Sequence, residues 1–215
     1  VLVILGSIPG VNKPVKALGG LTYFSVYFPI LIMAAVAALP LISLPLHLAT
    51  YREQGILRRI STTPVPPAWM LAAQVIINLV LGAVVLGILV VAGTAGFGLG
   101  APRAPGGFTL ALVLTIAAMF AIGLWVSAIA RSTGGASAIG QLLFYPLLFF
   151  GGLWLPRERM PPVLRDISDW TPSGASVHAL QSSMLGAFPS AQSLLVLVAW
   201  AVAFSVLAVR FFRWE

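Results

Sequence analysis

The sequence predicts an all-α integral membrane protein: a six-span helical bundle whose first span is represented only by residues 1–6, with short interfacial or re-entrant helices before the last span. Three observations carry this. The 215 residues are 60% hydrophobic and only 8% charged, with mean hydropathy +1.03, against roughly 25% charged residues in a soluble domain. The charges collect at a few places: Lys13 and Lys16, residues 52–59, Arg103, Arg131, residues 157–169 and residues 210–215. Between them lie five apolar stretches, about 23–48, 69–95, 108–130, 136–154 and 189–211, near the roughly 20 residues that cross about 30 Å of hydrocarbon. The whole chain, 1–215, reads as one transmembrane domain.

VLVILG at residues 1–6 is expected to be the last turns of a span whose beginning precedes this sequence; without a basic n-region it is not read as a signal peptide. The first complete span carries Pro29, Pro40 and Pro45, each removing a backbone donor, so it is expected to bend. His47 near its end is expected to be an interfacial or packing residue.

A polar island follows, TYREQGILRRISTTPVPP at residues 50–67. Thr50 and Glu53 have capping-box spacing, which predicts a helix starting at about Tyr51. Ile56, Leu57 and Ile60 then fall on one face, with Arg52, Glu53, Arg58 and Arg59 around the rest, and Pro64, Pro66 and Pro67 end it. A separate amphipathic helix in a membrane-protein loop points to a docking surface.

The second span places Gln74 and Asn78 four apart on one face, where amides are expected to act as glue between helices; Gly82 and Gly87 would permit close approach. The third, FTLALVLTIAAMFAIGLWVSAIA, is nearly all apolar, with Thr115 and Ser127 able to bond their own backbone, and is expected to be lipid-facing scaffold. The fourth sets Gln141 and Tyr145 four apart, a stripe that either seeks hydrogen bonds within the bundle or lines a translocation path. Residues 154–188 are too charged to span. Val163, Leu164, Ile167 and Trp170 oppose Arg165, Asp166 and Asp169, and Val177, Leu180 and Met184 recur likewise after Pro172, which predicts two short amphipathic helices forming a re-entrant lid.

Several functions are excluded or disfavoured. The net charge of +7 is dispersed over loops with no continuous basic stripe, so nucleic acid is not an expected partner. With no cysteine and two isolated histidines, no metal site is expected. A phosphate-binding G-x-x-x-x-G-K-[ST] loop is absent from the sequence, so ATP-driven work would have to come from a partner chain. Gly174-Ala175-Ser176-Val177 beside His178 raises an intramembrane serine protease as a remote alternative, but residues two apart on a helix point about 200° apart. No catalytic residue is assigned. Apart from His47 near an end, no ionisable residue lies deep in a span to couple ions.

The Lys/Arg count does not orient the chain. Lys13, Lys16, Arg103, Arg157, Arg159 and Arg165 lie on one side, and Arg52, Arg58, Arg59, Arg131, Arg210 and Arg213 on the other. Discounting the long 155–188 loop favours a cytoplasmic island.

The order of features resembles the permease subunit of type-2 ATP-binding-cassette (ABC) exporters, which include daunorubicin-type drug-resistance permeases. YREQGILRRISTTPVPP is similar to the family's R-E-x-G-x-L-R-R followed by T-P, and FFGGLWLPRERMPPVLRDISDWTP to its G-x-x-x-P, M/L-P and helix closing on proline. The resemblance implies a cytoplasmic coupling helix at about 50–61, seated in a separate ABC ATPase subunit through Tyr51, Arg52, Glu53, Gly55, Ile56, Leu57, Arg58, Arg59 and Ile60. It implies two permeases and two ATPases per transporter, ATP and Mg bound by the ATPase and no cofactor in this chain. Its path would run between permeases, with Phe24, Tyr27, Gln141 and Tyr145 as lining. The implied setting is the inner (plasma) membrane, in contact with the lipid bilayer, with residues 50–68 and the C-terminus cytoplasmic; the apolar spans suit an amphipathic drug, antibiotic or lipid-like substrate. A non-transporting membrane anchor or regulatory subunit of an ATPase complex is the alternative.

Overall fold

The structure, a computed structural model, describes residues 23–56, 68–97 and 99–211. Three proline-bearing pieces form the first column: α1 (Tyr23–Ala38), a π-helical turn (Leu39–Ser43) and α2 (Leu44–Glu53). The interruption has a chemical cause. Pro40 and Pro45 bring no N–H to the ladder, and between them Leu44 N reaches back five residues, not four, to the Leu39 carbonyl. The column is nevertheless continuous, with a membrane-length apolar run from Tyr27 to Glu53, so the expected bend is a local widening of the helix.

Then come α3 (Ala68–Phe97), α4 (Pro105–Ile129) and α5 (Thr133–Phe150), a 3-10 turn (Arg157–Arg159), α6 (Pro162–Trp170), α7 (Pro172–Leu185) and α8 (Ala191–Phe211). Among the described residues, five helices are long and apolar enough to cross a membrane, at the places the five apolar stretches mark. Residues 1–6, expected to end a further span, lie outside the described residues.

Two sequence expectations are corrected by the packing. The third span, α4, is the hub of the bundle and not lipid-facing scaffold: it packs against α8, α7, α2 and the π turn, burying Ala111, Ala118, Met119, Ile122, Gly123 and Val126. Its small residues let neighbouring backbones approach, the usual basis of close helix packing in lipid; a uniformly apolar helix has no polar face to reveal whether it is central or peripheral. Thr115 and Ser127 do bond their own backbone, at Ala111 O and Gly123 O (both 2.8 Å). The most exposed of the described spans is instead α3, which exposes Ile76, Ile77, Val80, Val84, Ile88 and Val91 and buries Gln74 and Asn78. A Cβ at Gly82 would make an ordinary contact with Leu39, and one at Gly87 would meet no described residue.

The second correction is α7. It is buried almost all round, against α4, α8 and α1, not amphipathic at an interface. Its serines make this possible by folding their hydroxyls onto their own turn: Ser176 Oγ donates to Pro172 O (2.5 Å), Ser183 Oγ to Ala179 O (3.0 Å). In α6 (Pro162–Trp170) the apolar residues Val163, Ile167 and Trp170 are exposed. Arg157 anchors the hairpin through two bonds to Asp169 (2.8 and 2.6 Å).

Candidate functional site: the C-terminal end of the first column

At residues 50–56 the structure departs from the predicted capped helix start. Thr50 is interior to α2 and donates back to Leu46 O (2.8 Å), and α2 runs on through Tyr51, Arg52 and Glu53. The capping box does not form because the preceding turn is already helical, so Thr50 has no orphan amide to cap. Gly55 ends the helix instead. It takes φ 65°, and its N–H bonds Arg52 O (3.0 Å) while Gln54 N bonds Thr50 O (3.0 Å), the left-handed closure that glycine favours. Ile56 is again helical and half-buried; Leu57, Arg58, Arg59 and Ile60 lie outside the described residues.

The last turn of α2 reaches into three other spans. Gln74 Nε2 of α3 donates to the Tyr51 hydroxyl (3.0 Å), so Gln74 acts as the interhelical glue its spacing predicts, while Asn78 Nδ2 bonds Gln74 O of its own helix (2.8 Å). Arg52 NH1 donates to Ser127 O (2.8 Å) and Ala130 O (2.6 Å), at the C-terminal end of α4. Glu53 accepts from Thr133 N (2.8 Å) and Thr133 Oγ1 (3.1 and 3.2 Å), at the first residue of α5. Each charge therefore meets the helix end of opposite sign: a cation on exposed carbonyls, an anion on exposed amides. Consecutive residues are about 100° apart on a helix, which lets neighbours serve two different ends. Ala49, Ala130 and Ala136 cluster beneath them, and their small side chains bring α2 within reach of the α4–α5 turn.

The sequence reading missed this turn. Its signals were Gly55, a helix terminator, and Ser132, whose Oγ accepts from Gly135 N (3.1 Å) as the N-cap of α5.

The expected path residues do not form one group. Gln141 and Tyr145 share an exposed face of α5; Gln141 Nε2 donates to Ser137 Oγ (2.9 Å), and Tyr145 stacks on Trp154 with ring centroids 6.3 Å apart. Tyr27 is half-buried and packs into the core. Phe24 lies in α1, its side chain outside the described residues. In the hairpin, Ser176 bonds Pro172 O whereas His178 Nδ1 pairs with Ser193 Oγ (3.0 Å), so the two side chains of the protease alternative have separate partners.

Residues 1–185 match the ABC-2 type transporter family, and the chain belongs to that family. It is a multi-pass membrane protein of the transport-permease class. Over 78 residues it is 30% identical to the Bacillus subtilis (strain 168) protein named "Putative transport permease YvfS"; the match covers 36% of this chain and about a third of the relative's length, 32%.

Proposed function

We propose that the chain is the permease subunit of an ATP-driven exporter of an amphipathic drug, antibiotic or lipid-like substrate. A separate ABC ATPase subunit docks on residues 55–60 at the cytoplasmic face of the plasma membrane, and binds the ATP and Mg. The observation that carries this reading is the C-terminal end of the first column: Tyr51, Arg52 and Glu53 bond to α3, α4 and α5. A force applied just beyond Gly55 would therefore reach three further spans. Because those three side chains are engaged within the chain, the docking contact falls to Gly55, Ile56, Leu57, Arg58, Arg59 and Ile60. A second permease copy, or a related one, covers the exposed face of α5, and Gln141 and Tyr145 line the path between the two.

The experiment is co-expression with a phosphate-loop ATPase, purification of the pair and reconstitution into proteoliposomes with a panel of amphipathic compounds. Substrate-stimulated ATP hydrolysis with accumulation of a compound supports the proposal. A stable pair that hydrolyses ATP and moves none of the panel would favour the anchoring subunit.

A further inference from the structure

We propose that Arg52 and Glu53 are not contacts for a partner but an internal latch, which makes α2, the end of α4 and the start of α5 move as one body. This rests on the proposed export function and assigns within it the part that transmits movement to α5, the helix bearing Ser137, Gln141 and Tyr145.

Three features hold the block together. At its base, Arg52 and Glu53 grip the two helix ends on either side of the α4–α5 turn, through Ser127 O, Ala130 O and Thr133. In its middle, Ala49 packs on Ala130 and Ala136. At its top, Pro45 has no N–H for the carbonyl of Leu41, four residues back, and that oxygen sits against Gly140 of α5; the neighbouring Pro40 oxygen sits against Gly123 of α4. So α2 at its base and the π-helical turn above it are held by the same two helices. The π-helical turn therefore belongs to the latched block, and α1 lies beyond it.

The geometry offers a variant that removes the latch without touching Glu53. Thr133 is the first residue of α5, and Ser132 before it is extended, at φ −138° and ψ 158°. Proline is favoured at the first helical position and wants an extended residue before it. Thr133→Pro therefore deletes both donors to Glu53 while α5 keeps its Ser132 cap. If Glu53 worked by contacting the ATPase, this variant would be silent.

The test uses the full chain paired with its ATPase, comparing wild type, Glu53→Ala, Glu53→Gln and Thr133→Pro. Glu53→Ala and Thr133→Pro are both expected to keep the ATPase bound and to lower transport per ATP hydrolysed by about tenfold, the scale of one charge-assisted hydrogen bond. Glu53→Gln, which retains an acceptor oxygen, is expected to recover most of the loss. Wild-type coupling in Thr133→Pro together with a defective Glu53→Ala overturns the latch, as does a Glu53→Gln no better than Glu53→Ala. A second readout is independent of transport. The chain has no cysteine, so spin labels at Gln54→Cys and Gly134→Cys report the separation of α2 from α5 in the permease alone. A broadened distance distribution in Thr133→Pro and Glu53→Ala supports the latch, and an unchanged one overturns it. Failure of the wild type to transport, with the distances behaving as expected, would instead count against the export function.

Discussion

Gly123 of α4 sets its bare Cα against the carbonyl oxygen of Pro40, so that a Cβ there would overlap the oxygen; Gly140 of α5 stands in the same relation to Leu41. The proline-widened turn of the first column is thus received by two glycines on two different spans. Backbone on the listening side of these contacts cannot swing aside as a flexible side chain would. Gly123→Ala and Gly140→Ala are each expected to cost about 1–3 kcal/mol by overpacking, seen as a lower thermal unfolding midpoint in detergent. Gly87, where a Cβ would meet no described residue, is the control: alanine there is expected to be neutral or to gain up to about 1 kcal/mol from helix propensity. Equal behaviour at all three sites would refute the seating.

The hairpin depends on Arg157 and Asp169, whose side chains are 32% and 25% exposed. Asp169→Asn removes the charge facing the guanidinium and is expected to cost roughly 1 kcal/mol after solvent screening. The exchange Arg157→Asp with Asp169→Arg should recover part of it. Thermal midpoints of the single and double variants form the check; a double variant worse than the sum of its parts would count against a direct pair.

His178 sets a pH dependence. Burial holds its imidazole below the ordinary histidine value, the nearby Arg157 adds to this, and Asp169 opposes it. The unfolded chain therefore takes up the proton first as pH falls. The contribution to stability is complete above an ordinary histidine pKa of about 6.5 and declines as pH drops from there toward the folded-state value. The unfolding midpoint of the wild type is expected to fall more steeply below about pH 6.5 than that of His178→Gln. Parallel curves would show that His178 does not carry the effect.

Orientation follows from the proposed docking. Gln54 and Asp166 are both exposed, and in this cysteine-free chain single cysteines at the two positions can be labelled separately. An impermeant maleimide added to intact cells should reach Asp166→Cys and not Gln54→Cys, with the reverse in inside-out vesicles. Labelling of Gln54→Cys from outside would invert the topology.

The spans were legible because hydropathy over 20 or so residues is a strong signal, whereas the helix end at Gly55 was passed over for a capping box at Thr50 and Glu53. What stayed hidden depended on which neighbour each apolar face meets. In α4, alanines and glycines that mark a central helix looked like scaffold, since no polar residue broke the pattern. In α7, serines that appear amphipathic in sequence bond their own turns and are buried. Thr50 and Glu53 matched a capping box by spacing, yet a helix already in progress left no amide for Thr50, and Glu53 was free to cap a different helix 80 residues away. The pairing of Gln74 with Tyr51 was half visible: spacing gave the face and not the partner.

The central claim is that an ATPase drives this bundle from the segment just past Gly55, and Ile56→Asp tests it most directly. The variant puts a charge on the apolar docking face without touching Tyr51, Arg52 or Glu53. In reconstituted pairs, the account predicts that Ile56→Asp inserts and unfolds like wild type but loses co-purification of the ATPase and ATP-driven transport together. Undiminished binding and transport in Ile56→Asp would contradict it.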